Sequence, residues 1–293
     1  MDQGERRTYL IRKLLNEKPE CANTNIPSDI TEQRELLRSL MNVRMPKEIS
    51  EEFIDIQNKY LQQLNEKRGI VTIDQMDQLE KGIFLWKGDI TKLKVGAIVN
   101  AANSGMTGCY QPCHNCIDNC IHTYAGIQLR NYCDEIIRKQ GHEEPTGSAK
   151  ITPAFNLPCD YVIHTVGPII KWKLNEFQEE QLRSCYESCL KIAEKNNVES
   201  IAFCCISTGV FGFPNDKAAE IAIDTVRQYR KKANMKMQVI FNVFKEEDEQ
   251  LYRHLFSEIV ENERKNELGE YNHNRSKRLR DIFKFIKNKI MEV

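Results

Sequence analysis

The stretch Cys109-Tyr-Gln-Pro-Cys-His-Asn-Cys116 gathers thiols and an imidazole into one short loop between an apolar strand and an amphipathic helix. Cys and neutral His are the ligands zinc prefers, and Cys109, His114 and Cys116 would leave a fourth tetrahedral position for water or substrate. The chemistry this suggests is a catalytic metal site at a strand-to-helix connection, where α/β proteins place their ligands. Cys113 adjoins His114, and Cys120 lies one helical turn beyond Cys116, so either could close the coordination sphere. A closed, four-ligand site would be structural. A third reading has no metal at all, only thiols kept reduced.

Other polar residues fall at the ends of strands. Gly88-Asp89-Ile90 follows one apolar run and leaves a carboxylate at its carboxyl end. A carboxylate only accepts hydrogen bonds, which suits an exocyclic amine or a sugar hydroxyl, although Asp is also ordinary in turns. Asn100-Ala-Ala-Asn103 ends the next run; an Asn amide both donates and accepts, which fits ribose hydroxyls, although one of the pair could instead satisfy loop backbone groups. Ser207-Thr-Gly-Val-Phe-Gly-Phe-Pro214 joins a buried strand to a helix start. Its small residues expose backbone N–H groups beside a positive helix end, a phosphate cradle without the Lys of a Walker loop.

Positioning these residues requires strands alternating with helices. Ile83–Trp86, Val95–Val99, Tyr161–Val166, Ile201–Ile206 and Val239–Phe244 are short, nearly continuous apolar runs, the pattern of strands covered on both faces. Helical patterns occupy about 117–140, 177–195, 216–234 and 246–263. In the first, Ile117, Ile121, Ala125, Leu129, Cys133 and Ile136 recur at core-facing intervals. The fold class is α/β, a three-layer α/β/α sandwich over residues 79–263. Residues 1–78 form a helical extension, with Ser50 as an N-cap followed by Glu51 and Glu52. This extension is either a lid that recruits substrate or a cap over core surface. Residues 264–293 are a polar linker and a basic amphipathic helix at about 277–290, suited to an anionic partner or to its own protein's apolar face.

Lys+Arg and Asp+Glu both total 42, so no net field argues for nucleic acid. The N-terminus lacks the apolar core of a signal peptide, and no apolar run approaches the roughly 20 residues of a membrane span. With 11 Cys, this composition leads us to expect free thiols in a reducing, cytoplasmic compartment.

The motifs Gly88-Asp-Ile-Thr91, Val99-Asn-Ala-Ala-Asn-Ser104, Thr146-Gly-Ser-Ala149, Val162-Ile-His-Thr-Val-Gly-Pro168 and Ser207-Thr-Gly-Val-Phe-Gly212 occur in the order of the macrodomain family, which the chain resembles over about 80–260. That resemblance implies a mixed central sheet, binding of ADP-ribose and its hydrolysis from modified proteins. It implies that Asp89, with Ile90 beside it, meets the adenine amine and that Phe244 stacks on the adenine face. Ser207, Thr208, Gly209, Val210 and Phe211 would cradle the diphosphate, and Asn103 would hold the distal ribose. Where most members have a string of glycines, this chain has the Cys/His loop, similar to a zinc-containing subgroup linked to sirtuin-type ADP-ribosyltransferases. The subgroup implies Zn²⁺ on Cys109, His114 and Cys116, with an N-terminal helical extension. Asp118 is then a candidate general base, or simply an acid at a helix N-terminus. The competing function is a non-catalytic module that binds ADP-ribose or O-acetyl-ADP-ribose.

Overall fold

The computed structural model describes residues 1–233 and 236–265. The chain divides into two compact units, Met1–Glu249 and Gln250–Val293. Three helices open the first unit: α1 (Gln3–Asn16), α2 (Ile30–Val43) and α3 (Glu51–Arg68). The Ser50 hydroxyl accepts from the Phe53 amide at 3.3 Å and caps α3, as expected. Next come β1 (Asp77–Glu80), β2 (Ile83–Lys87), β3 (Ala97–Ala101), α4 (Ile117–Ala125) and α5 (Ile127–Gln140). They are followed by β4 (Ala149–Pro153), β5 (Tyr161–Thr165), α6 (Glu176–Lys195), β6 (Ser200–Phe203), α7 (Asn215–Ala233) and β7 (Gln238–Val243). A helix over 246–265 ends the described part; the basic helix expected at 277–290 lies outside the described residues.

The seven strands form one mixed sheet in the order β1-β2-β7-β6-β3-β5-β4. The inner strands β2, β7, β6, β3 and β5 run parallel, and only the edge strands β1 and β4 pair antiparallel. Ile98, Val99, Ile163, Ile201 and Ile240 are fully buried, as helix-covered parallel strands require. The expected three layers are therefore present. Parallel pairing also puts the carboxyl ends of β2, β3, β6 and β7 along one edge, so the residues after each strand converge.

Two local details differ from the sequence pattern. Asp77–Glu80 and Ala149–Pro153 are strands without a continuous apolar run, because an edge strand is covered less fully. The single helix expected over 117–140 is broken at Gly126, whose φ is +97°. A Cβ at that position would lie 2.7 Å from Gln57 Nε2, so the break leaves room for the Gln57 side chain of α3.

The N-terminal helices do more than cover surface. Leu10, Ile11, Leu14, Leu15, Phe53, Tyr60 and Leu61 form a buried cluster that also takes in Ile127 of α5. Each fully buried side chain of this size contributes roughly 1.5–3 kcal/mol. The cluster thus fixes α1–α3 firmly to the α4–α5 side of the sheet.

Candidate active site

At the end of β3, Asn100 and Asn103 both turn toward Asp118, the second residue of α4. Asn100 Nδ2 donates to Asp118 Oδ1 at 2.8 Å, and Asn103 Nδ2 donates to Asp118 Oδ2 at 3.3 Å. Asn103 Nδ2 also reaches the Gly108 carbonyl at 3.0 Å, which ties the strand end to the start of the Cys/His loop. Among the described residues only Asn103 Nδ2 is engaged, which leaves Oδ1 able to accept from a ligand hydroxyl. Asp118 is buried, and burial raises its carboxyl to about 6 against the opposing pull of the Asn100 amide and the Arg130 charge. Asn100 has no exposed surface, so the first Asn of the motif supports Asp118 and the second faces the groove.

Beneath this pair lies a buried polar floor. Asn100 Nδ2 is 3.2 Å from His164 Nδ1, and the other ring nitrogen of His164 lies 3.1 Å from Thr152 Oγ1 and 3.8 Å from Cys133 Sγ. His122 Nε2 is 3.6 Å from Asp118 Oδ1. Burial holds His164 down at about 3 and His122 well below its usual range, so both rings are neutral at pH 7. His122 is therefore part of this floor, within reach of Asp118 from below.

In the Cys/His loop, the ligand atoms of Cys109, His114 and Cys116 lie within 4.8 Å of one another, and Cys109 Sγ is 3.6 Å from His114 Nδ1. Tetrahedral zinc with bonds of ~2.0–2.3 Å holds its ligands roughly 3.5 Å apart, so this donor set fits the ion. The neighbouring thiols point elsewhere. Cys113 Sγ sits 3.2 Å from Ser39 Oγ, and Cys120 Sγ is 3.7 Å from Arg38 Nη2. Cys116 is also the N-cap of α4, and its sulfur accepts from the Asn119 amide at 3.4 Å. Burial pushes its thiol up to about 12 despite that amide. A metal there would have to displace a proton.

The helical extension holds this loop from behind. Arg38 Nη2 donates to the His114 carbonyl at 2.7 Å and to Asn119 Oδ1 at 3.0 Å. Asn42 Oδ1 accepts from the Cys113 amide at 3.0 Å, and Cys113 needs that support because its φ is +51°. Arg130 Nη1 gathers the carbonyls of Met41, Asn42 and Arg44, and its Nη2 reaches the Cys109 carbonyl at 3.5 Å. None of Arg38, Ser39, Asn42 and Arg130 was singled out from the sequence. They lie far from the loop in the chain, and polar residues on an amphipathic helix read as a solvated face.

The cradle follows β6. Ser207 takes a left-handed φ of +65°, and the loop closes through Phe213 N to Ser207 O at 3.0 Å and Gly212 N to Gly209 O at 3.0 Å. Among the described residues, the amides of Gly209, Val210 and Phe211 have no acceptor, as a phosphate cradle requires. The Ser207 hydroxyl is buried without a partner among the described residues, and Thr208 Oγ1 is turned inward to the Cys205 carbonyl at 3.0 Å. Gly167 makes room for Ser207, since a Cβ there would lie 2.0 Å from the hydroxyl oxygen. Phe244, just past β7, is 76% exposed, an open aromatic face. Asp89 follows β2 and caps the short turn Ile90–Lys92, in which Ile90 is buried.

The geometry thus lines up an aromatic platform, a carboxylate, a row of free amides, an amide oxygen and a soft-metal donor set along one sheet edge. A Macro domain family model matches residues 99–222. A protein-ADP-ribose hydrolase of Treponema medium is 57% identical over 261 residues, covering 88% of this chain and all of that one. One from Staphylococcus aureus strain MRSA252 is 47% identical over 254 residues, covering 86% and 96%. Among solved structures, a Trypanosoma brucei macrodomain in complex with ADP-ribose superposes with a TM-score of 0.59 at 27% identity, covering 78% of this chain and 96% of that one. An Oceanobacillus iheyensis macrodomain mutant with ADPR gives 0.58 at 35%, covering 64% and 98%. With relatives this similar over nearly their whole length, the chain belongs to the macrodomain family, as a member of its protein-ADP-ribose hydrolase group.

Proposed function

We propose that this chain is a zinc-dependent hydrolase that removes single ADP-ribose units from protein side chains, with Asp and Glu esters as the preferred linkage. The observation that carries the reading is Asp118, a buried carboxylate held by Asn100 and Asn103. It stands two residues from Cys116, at the same sheet edge as the free amides of the cradle. In this reading Asp89 accepts from the adenine amine, Ile90 closes the floor beside it, and Phe244 stacks on the base. Ser207, Thr208, Gly209, Val210 and Phe211 wrap the diphosphate, and the Ser207 hydroxyl gains its missing partner there. Asn103 accepts from a hydroxyl of the distal ribose and fixes it for attack. Asp118 takes the proton of the attacking water, and a carboxylic acid at pKa about 6 is suited to that work near neutral pH. Bound by Cys109, His114 and Cys116, zinc supplies Lewis-acid polarisation at the ribose or lowers the pKa of a water.

The ester preference rests on chemistry, because a carboxylate is already a fair leaving group. The reading makes a sirtuin-type ADP-ribosyltransferase the source of the modification and sets the reaction in the cytoplasm, where thiol ligands stay reduced. The names of the similar hydrolases favour turnover over the binding-module reading.

The test is release of labelled ADP-ribose from an auto-ADP-ribosylated acceptor, with and without chelator, on protein of measured metal content. Release that stops when zinc is stripped supports the proposal. Undiminished label in both arms sinks hydrolysis, and full release from zinc-free protein sinks the metal's role alone. Ester-selective cleavage by neutral hydroxylamine identifies the linkage.

A further inference from the structure

Asp89, the residue read above as the adenine contact, does not stand alone. Arg68, the last residue of α3, pairs with it: Arg68 Nη2 donates to Asp89 Oδ2 and also to Thr91 Oγ1 at 2.9 Å. Thr91 closes the ring by donating to Asp89 Oδ1 from its hydroxyl at 2.6 Å and from its amide at 3.0 Å. The guanidinium carbon lies 3.4 Å from the centre of the Tyr124 ring, a cation–π stack, and Arg68 Nη1 donates to Asn65 Oδ1 at 2.9 Å. The backbone is fastened at the same place. Val71 N reaches the Lys92 carbonyl at 3.0 Å, and Lys94 N reaches the Val71 carbonyl at 2.9 Å. The Arg68 side chain is 15% exposed and that of Asp89 33%, so this ion pair is sheltered on one side and open on the other.

Counting lone pairs shows what remains for a ligand. A carboxylate offers about four acceptor positions. The Thr91 amide and hydroxyl take both on Oδ1, and Arg68 takes one on Oδ2. One position is left. The Thr91 hydroxyl proton and both Nη2 protons are engaged within the ring, so neither of the two side-chain groups that bind Asp89 presents a donor at that position.

We infer that Arg68, delivered by the N-terminal extension, is a positioning residue that sets base selectivity: it turns Asp89 into a single fixed acceptor that admits a 6-amino purine and rejects a 6-oxo purine. The inference rests on the reading that Asp89 meets the base. An amino group donates one N–H to the remaining lone pair. A 6-oxo group would set its own lone pair against it. With Arg68 gone, Oδ2 has a second free position and the carboxylate can rotate, so a water can bridge it to a carbonyl and the discrimination fades.

The experiment is calorimetric titration of the full chain with ADP-ribose and with its hypoxanthine analogue, inosine-diphosphate-ribose. The wild-type protein is expected to prefer the adenine form by at least about tenfold, the scale of one charge-assisted hydrogen bond. Arg68→Gln should cut that preference below about threefold and raise KM on the ADP-ribosylated protein, with kcat changed less than about twofold. Thr91→Val, which removes the oxygen shared by Arg68 and Asp89, should do the same and serves where Arg68→Gln fails to fold. Retention of the full preference in a folded variant overturns the inference. So does equal loss of affinity for both nucleotides, which marks a merely structural tie. A wild-type protein that binds neither nucleotide removes the underlying reading as well, and is thereby told apart from failure of the inference alone.

Discussion

The Cys109–Cys116 loop and the Ser207–Gly212 loop sit at the same end of the sheet and are held by different means. The cradle is closed by its own backbone, with Phe213 N on Ser207 O and Gly212 N on Gly209 O, and its fit depends on the small Gly167 beside it. The Cys/His loop is held by side chains brought from elsewhere: Arg38, Ser39 and Asn42 of α2, and Arg130 of α5. A cradle built from the sheet is a property of the fold. A loop clamped from outside is a property of this chain's extension, and the two can be damaged independently.

The largest effect that would test this separation comes from Cys116→Ala. Turnover should fall by more than the roughly 10–100-fold typical for loss of an outer-shell metal partner, and zinc content should fall with it. ADP-ribose affinity, read by calorimetry, should stay within about threefold; a parallel collapse would show that the two loops are one unit. Asn42→Ala removes the acceptor for the Cys113 amide and the donor to Thr123 Oγ1, at a residue only 1% exposed. We expect roughly 10–100-fold weaker zinc retention in a chelator competition, about 1–3 kcal/mol of lost stability by urea unfolding, and an unchanged cradle.

Gly167→Ala is the converse. Its new methyl must displace the Ser207 hydroxyl, so ADP-ribose affinity should drop about tenfold while zinc content by elemental analysis stays at the wild-type value. Loss of zinc in that variant would break the comparison from the other side.

The smallest effect is on pH. His164, at about 3, and His122, well below its normal range, stay neutral when folded but take up protons near 6.5 when unfolded. Their contribution is complete above pH 6.5 and is lost as pH falls below it. Asp118, raised to about 6 by burial, works in the opposite sense, since the folded state keeps its proton at higher pH than the unfolded chain. Two against one leaves a net uptake of about one proton on unfolding. Urea-unfolding free energy in excess chelator should fall by about 1.4 kcal/mol per unit between pH 6 and 5. A flat profile would contradict the buried neutral pair, and His164→Asn should flatten it deliberately.

Much of this arrangement was legible in the sequence because its parts are local. Asp89, Asn103 and Ser207 each follow an apolar run, and parallel pairing brings such positions together without further information. Ser50 announced the start of α3 by its type and by the acids after it. What stayed hidden depends on tertiary packing. Gly126 breaks a helix whose apolar stripe runs straight through it, because Gln57 of α3 needs the space. Arg38 and Arg68 reach partners 76 and 21 residues away, and nothing in their neighbours distinguishes them from arginines facing water. Residue type alone leaves Asn100 and Asn103 alike, the family resemblance names only Asn103, and it takes the packing to show that Asn100 serves Asp118.

The apolar cluster that joins α1–α3 to Ile127 of α5 has a practical side. A truncation after Met76, just ahead of β1, would part the α1–α3 side chains of this cluster from Ile127. The fragment would bare Ile127 and the notch at Gly126 that Gln57 fills, so the shorter protein would be the less soluble one.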